Sequence, residues 1–569
     1  MSRFPAGLIA LSALIACAVP LHAVAQDVGS GGSGSGSGSE ATSSQDEAKP
    51  SRKSRSQRAA KSKRTLVEPY IEAGQIVNAE LSPGDEVLTY SVIAAGVDAE
   101  VVGVNNAASV SLRYEHRFGW GKAEDSDTFS GVARGYTTIA PGLRLEAGGL
   151  AARTRTDQNG SSVLGPLRDD DSVTQIYSVY AGPSLTTYAG DVAINANYRF
   201  GYTKVEEPDA FTAVPGAPSV DVFDESTVHV AGVHAGVKPY EVLPVGVGAG
   251  ADYYREDISN LDQRVEDFRA RADITIPVSQ SVALLGGVGY EDVEISSRDA
   301  VRDGSGNPVV GPDGRFVTDK SGPRILAYDV DGLIWDAGVL WRPSTRTALE
   351  AHVGRRYGAT SYYGTFAYAP TSRSSINVAV YDNIAGFGGQ VNRALADLPA
   401  EFTAVRNPIT GDIGGCVSTI EENGCLTGVL GSVRSATFRA RGVMATYSHK
   451  VGRSTLGFGA GYDRRRFIAA QGTVLASADG LVDENYWLAA YLNGQIDARS
   501  SYSTSVYANW FRPELGGNAS AVGANAAYYR NLTDKLSATA AIGLDGVNED
   551  APFDDFWTAL ALLGVRYSF

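Results

Sequence analysis

The residues of this chain best able to do chemistry are arginines set two apart. Arg113 and Arg117 flank Glu115, Arg153 precedes Arg155, Arg269 precedes Arg271, and Arg439 precedes Arg441. On strands, residues two apart share a face. A charge is costly on a face that meets lipid, so these eight are expected to point into a lumen. Guanidinium groups around a pore favour anions. The same arginines, set against inward Asp and Glu, would instead brace a closed wall, and both readings stay open. Arg355-Arg356 and Arg464-Arg465-Arg466 add basic residues near strand ends. Acidic residues gather at Glu124-Asp125-Ser126-Asp127, Asp169-Asp170-Asp171, Glu549-Asp550 and Asp554-Asp555. They suit divalent bridging to an anionic, lipopolysaccharide-type surface glycolipid, or plain solvation.

Catalytic chemistry is not indicated. The six His are scattered, and His229 and His234, five apart, fall on opposite faces of a strand and cannot share a metal. Gly246-Val247-Gly248-Ala249-Gly250 mimics a nucleotide loop but lacks the strand-to-helix context that a phosphate needs. Asp303-Gly304-Ser305-Gly306-Asn307 begins like a calcium loop, yet Pro308 stands where the sixth position needs Gly. No nucleophile can be paired with a base. The expectation is a non-enzyme without cofactor or metal. A formal net charge of −15 argues against a nucleic-acid partner.

Strands must position these residues. From residue 65 onward, runs of alternating polarity are separated by turns, with no shift in composition. The first cover Leu66–Leu81, Val87–Val102, Ala107–Trp120, Thr128–Ile139 and Leu143–Arg155, and the last is Trp557–Phe569. Short turns such as Ala140-Pro141-Gly142 alternate with longer connections at 156–172, 206–225, 297–327, 383–434 and 467–483. Beyond the N-terminus there is no apolar run of about 18 residues, the length a membrane helix requires. The pattern predicts an all-β fold: a transmembrane antiparallel up-and-down β-barrel of about 22 strands, roughly 20 to 24, with both termini periplasmic. Within the longest connection, Val391–Val405 reads as a short helix able to fold over or into the pore mouth. Cys416 and Cys425 lie in the same loop, and an oxidising compartment would join them in a disulfide.

The N-terminal region is of another kind. Residues 1–25 read as a secretory signal, with Arg3, an apolar stretch from Ala6 to Val19, and Ala23-Val24-Ala25 preceding cleavage between Ala25 and Gln26. Leu14-Ile15-Ala16-Cys17 resembles a lipobox, which would lipidate Cys17 instead. Residues 26–64 form a Gly/Ser-rich tether and then a basic tail of Lys49, Arg52, Lys53, Arg55, Arg58, Lys61, Lys63 and Arg64. The tail is either a grip on an anionic cell-wall polymer or polysaccharide, or a solvated linker. The barrel takes residues 65–569.

In the last strand Trp557, Ala559, Ala561, Leu563, Val565, Tyr567 and Phe569 share one apolar face, with aromatics at both ends. Gly564, Tyr567 and Phe569 resemble the C-terminal signal that outer-membrane barrels present to the barrel assembly machinery, although Leu562 replaces the usual polar residue. The layout from Val67-Glu68-Pro69-Tyr70-Ile71 through Leu112-Arg113-Tyr114-Glu115 resembles outer-membrane proteins associated with PEP-CTERM and exopolysaccharide loci. The chain also resembles sphingomonad-type proteins labelled preprotein translocase subunit YajC. Together these imply an outer-membrane protein in contact with lipid and surface glycolipid. Its expected function is a pore or export conduit for anionic solutes or exopolysaccharide, or else a structural barrel closed by its loops and tethered by the basic tail.

Overall fold

The computed structural model describes residues 64–156, 162–163, 173–206, 223–418, 423–425, 430, 433–514, 517–550 and 555–569. The expected signal, lipobox, tether and basic tail as far as Lys63 lie outside these residues, as do most of 157–172 and 207–222.

Twenty-two antiparallel strands close on themselves. The first are β1 (Arg64–Ser82), β2 (Val87–Val102), β3 (Asn106–Trp120), β4 (Ser126–Ala140), β5 (Leu143–Thr156) and β6 (Val173–Ala189). Next come β7 (Val192–Glu206), β8 (Glu225–Val237), β9 (Gly246–Ile258), β10 (Gln263–Pro277), β11 (Val282–Ser297) and β12 (Ile325–Ser344). Three more, β13 (Thr347–Arg356), β14 (Ala359–Thr371) and β15 (Ser374–Ala385), precede the longest connection. The wall ends with β16 (Phe438–Val451), β17 (Ser454–Phe467), β18 (Val482–Gln495), β19 (Ser500–Pro513), β20 (Ala519–Asn531), β21 (Leu536–Glu549) and β22 (Phe556–Ser568). Each strand pairs with its sequence neighbours, and β22 closes on β1 with Gly564 opposite Gly74. A Cβ on Gly564 would press within 3.2 Å of the Ala73 carbonyl oxygen, so the closing seam favours glycine there. Closure removes the free edges that an open sheet would expose.

Alternation sets the two faces. In β22, Leu563, Val565, Tyr567 and Phe569 are exposed on the outside, while Thr558, Leu560 and Leu562 are buried inside. The outward rows are aliphatic in the middle, with Val77, Val233, Leu284 and Val506 all exposed. Aromatics stand toward the two rims. Trp120, Tyr290 and Trp510 are at one, and Tyr188, Trp341, Tyr528 and Tyr567 are at the other. An aliphatic belt between aromatic girdles matches a hydrocarbon slab between two aqueous interfaces.

The rims differ. Connections 141–142, 190–191, 345–346 and 452–453 lie on the rim where β1 begins and β22 ends. Connections 157–172, 207–224, 298–324, 386–437 and 468–481 lie on the opposite rim. One hairpin on that long-loop rim is cut short. Tyr357 (φ 56) and Gly358 (φ 64) turn β13 into β14 in two residues. Strand β12 therefore pairs with β13 only from Trp335 onward, and β15 pairs with β14 only as far as Val380.

Candidate functional site: the occluded lumen

The connection 386–437 turns into the lumen. It opens with a helix, α1 (Phe387–Ala396). Phe387, Val391 and Leu395 are fully buried against Val132 of β4, Leu150 of β5, Ile176 of β6, Val205 of β7 and Ile258 of β9. Farther along the same connection, Ile409 packs on Ile76 of β1, Val92 of β2, Ala541 of β21 and Leu560 of β22. The connection, rooted at β15 and β16, thus reaches the arc from β20 through β1 to β9, which includes the far side of the barrel, and so crosses the lumen.

The helix occupies residues 387–396 rather than the expected 391–405, for two reasons. At its start, the buried Glu256 carboxylate of β9 accepts from the Gly386 N–H at 2.6 Å and the Gly389 N–H at 2.8 Å. A carboxylate there satisfies orphan donors and complements the helix dipole. Gly388 and Gly389 let the helix lie against the wall, since a Cβ on Gly388 would overlap Ser226 Oγ and one on Gly389 the Tyr254 hydroxyl. At its end the chain leaves the helix at Asp397, two residues before Pro399, which has no N–H to give. Beyond it, Thr403–Arg406, Ile413–Ser418 and Asn423–Cys425 form a small antiparallel sheet. There Cys416 stands directly opposite Cys425 in the backbone register.

The arginines singled out by their spacing divide into two groups. Arg113, Arg117, Arg153, Arg269 and Arg271 reach inner-wall or loop partners, each a carboxylate. Arg113 pairs with Glu72 at 3.0 Å and with Glu115, which Arg117 also contacts. Arg153 pairs with Asp412 of the loop at 3.0 Å, Arg269 with Asp252, and Arg271 with Asp336 at 2.8 Å. Arg155 lies on β5, and its side chain is outside the described set. Arg64, the one described member of the basic tail, pairs with Glu100 at 3.3 Å.

Arg439 and Arg441, expected to point inward, sit on the outward face of their strand, and Arg439 stands 5.1 Å over the Tyr357 ring, whose hydroxyl donates to the inward Asp267. The buried Asp463 faces inward and stands opposite Gly442, so Arg441 and Arg439 share the outward face with the exposed Val443. Both guanidiniums hold the buried Asp382 carboxylate, and Arg441 donates to the Thr360 carbonyl at 2.8 Å. They span the gap left where β15 parts from β14. The rule that charges face inward holds only within the hydrocarbon belt. Above it both faces carry charge: inside, Phe438, Ala440 and Phe467 cluster with Ala436 of the loop beside the buried pairs Arg465–Asp463 and Arg434–Asp483.

The spacing of arginines pointed to part of the wall but not to its partners in the loop. Arg406 donates to Ser111 Oγ at 3.1 Å and Ser130 Oγ at 2.8 Å, Arg117 to the Thr410 carbonyl at 3.3 Å, and Ser130 to the Gly411 carbonyl at 3.0 Å. The signals available for these contacts were the Gly386-Phe387-Gly388-Gly389 run and the isolated Arg406 and Asp412 in a loop poor in charge.

No protein-family model and no curated protein matches the chain, so the resemblances drawn from sequence gain no support there. Similar solved structures exist at low identity. The ferric-catecholate import receptor Fiu of Escherichia coli K12 in its closed form is 10% identical, with a TM-score of 0.42, over 88% of this chain and 81% of that one. The FrpB iron transporter of Neisseria meningitidis is 11% identical, with a TM-score of 0.40, over 88% and 82%. The siderophore receptor PiuA of Acinetobacter baumannii is 9% identical, with a TM-score of 0.39, over 88% and 82%. At this level of similarity the cargo named for those receptors belongs to them alone.

Proposed function

We propose that the protein spans the outer membrane as a loop-gated conduit, with the connection 386–437 as its gate. The observation that carries this reading is the economy of the obstruction. A barrel of this strand number is wide enough for a channel unless something fills it. Here one connection, joined to β15 and β16 at its ends, reaches across to the opposite wall from β20 through β1 to β9. The localisation rests on the aliphatic belt, the two girdles and the unequal rims.

The wall supports a polar cargo better than a simple anion. Each described inward arginine of the candidate set already has a carboxylate, so the set presents no ring of uncompensated positive charge. The inner wall offers amides and hydroxyls beside them, among them Asn195, Asn197 and Thr365. Such groups suit hydroxyl-rich solutes, exopolysaccharide included. The second reading is a barrel kept permanently shut for a structural role. It draws on the polar contacts that Arg406, Asp412 and Glu256 make between loop and wall.

Single-channel recording of the refolded protein in planar bilayers separates the two. The conduit reading expects rare openings in the intact chain and steady large conductance when 387–436 is replaced by a short Gly-Ser linker. A folded, loop-deleted barrel that stays silent would refute the gate. Ion preference should change little in Arg439→Glu, Arg441→Glu protein, because both side chains leave the outward face of their strand and are held by Asp382.

A further inference from the structure

Among the described strands, β16 to β19 carry a pattern on their outward face that the conduit does not use. The cross-strand register puts Val443, Tyr462, Tyr486 and Trp510 in one row. One step toward the long-loop rim, Arg441, Arg464, Glu484 and Arg512 form the next row, with Arg439 and Arg466 a further step out. With strands about 4.8 Å apart, the row from Arg441 to Arg512 spans roughly 15 Å. Aromatic rings mark the level of a membrane interface, so these guanidiniums stand at the height of lipid headgroups.

The charges of this patch do not cancel. Asp382 offsets Arg439 and Arg441, and the Glu484 carboxylate accepts from the Tyr462 and Tyr486 hydroxyls at 2.8 and 3.2 Å. Among the described residues Arg464 and Arg466 have no ion-pair partner, and Arg466 and Arg512 are exposed. Arg512 leans over the Tyr486 ring, 5.5 Å from its centre. The opposite arrangement occurs on β10 to β12, where Glu266, Glu294 and Asp329 face one another across the outer wall and Asp292 faces Asp331. Arg255 offsets Glu266, but among the described residues Glu294, Asp329, Asp292 and Asp331 have no ion-pair partner, so this sector would repel an anion that the basic one would hold.

We infer that the outward face of β16–β19 is a docking surface for the anionic headgroup of an outer-leaflet glycolipid. Its acyl chains would lie along the aliphatic belt below Tyr462, Tyr486 and Trp510, and its phosphate or carboxylate would meet Arg464, Arg466 and Arg512. The guanidinium fork matches either oxyanion in two-point fashion. The fit is one of charge, height and planarity together: lipid-facing rings below, donors above, and a gap between β14 and β15 already sealed by Arg439 and Arg441. This inference rests on the outer-membrane reading.

The test compares the full chain with an Arg464→Gln, Arg466→Gln, Arg512→Gln variant in phosphatidylcholine vesicles. The vesicles are doped with a bis-phosphorylated glucosamine glycolipid, a uronic-acid glycosphingolipid, or a neutral glycolipid of matched chains. Bound glycolipid is counted by native mass spectrometry after gentle detergent extraction. The wild type should retain one or both anionic glycolipids over the neutral one, and the variant should lose that preference by about fivefold for each arginine removed. Equal retention by wild type and variant, or equal binding of the neutral glycolipid, would overturn the inference. A second variant, Glu294→Gln, Asp329→Asn, should leave retention unchanged, and a loss there as large as in the arginine variant would count against it. Heat-modifiable gel mobility reports insertion separately. A wild type that inserts into none of the vesicles would overturn the membrane reading, and this inference with it.

Discussion

Replacing Phe387 with alanine is the sharpest test of the gate. The ring is fully buried and meets Phe223 edge to face, with centroids 5.1 Å apart and planes at 64°. Truncating a buried phenylalanine costs about 3–5 kcal/mol, cavity included. The barrel strands are held by their own hydrogen-bond ladders, so this loss should fall on docking of the loop and not on the wall. A loss of about 3 kcal/mol shifts a docked–undocked equilibrium by roughly a hundredfold. In planar bilayers the open probability of Phe387→Ala protein should rise by that order. Its heat-modifiable gel transition should stay within a few degrees of wild type, and Val506→Ala, on the outer face, should change neither. An open probability equal to wild type in a folded Phe387→Ala barrel would refute the assignment of 386–437 as the gate. A parallel fall in barrel stability would show that loop and wall are a single cooperative unit.

Three further outcomes are expected. Glu256→Leu leaves the Gly386 and Gly389 N–H groups without their acceptor. It should weaken docking by about 1–3 kcal/mol and raise proteolysis of the loop, with Glu256→Gln intermediate; a loop as protected as wild type would remove the cap from the account. Leu563→Arg, at an outward position 69% exposed, should destabilise the barrel in vesicles by about 2–4 kcal/mol, and no effect on refolding equilibria would contradict a lipid-facing β22. Cys416 and Cys425, opposed across two strands, should resist alkylation until a reductant is added. Ready alkylation of the untreated protein would show them to be free thiols.

Much of the wall was legible in the sequence because its information is local. A strand's two faces follow from the period of two, so the outward set of β22 could be named from Trp557 to Phe569 alone, and the structure places it there. Strand number and the alternation of short and long connections follow from where Gly, Pro and Asn interrupt that period. The interior was not legible, because nothing local says which side chains meet across a lumen. Glu256 caps α1 over 130 residues of sequence, and Arg153 finds Asp412 across 259. No spacing rule reaches so far. Arg439 and Arg441 show the other limit. Their strand alternates as plainly as any, but above the hydrocarbon belt neither face excludes charge, with Arg439 and Arg441 outside and Arg465 and Asp483 of the next two strands inside. There the outside is water and headgroups, and the inside is the underside of a loop. Sequence alternation determined that these strands have two faces and which residues share each one. Only the tertiary structure, by bringing the loop 386–437 into the lumen and setting the height of each residue against the aromatic girdle, decided at which levels each face admits charge and which charges are neutralised.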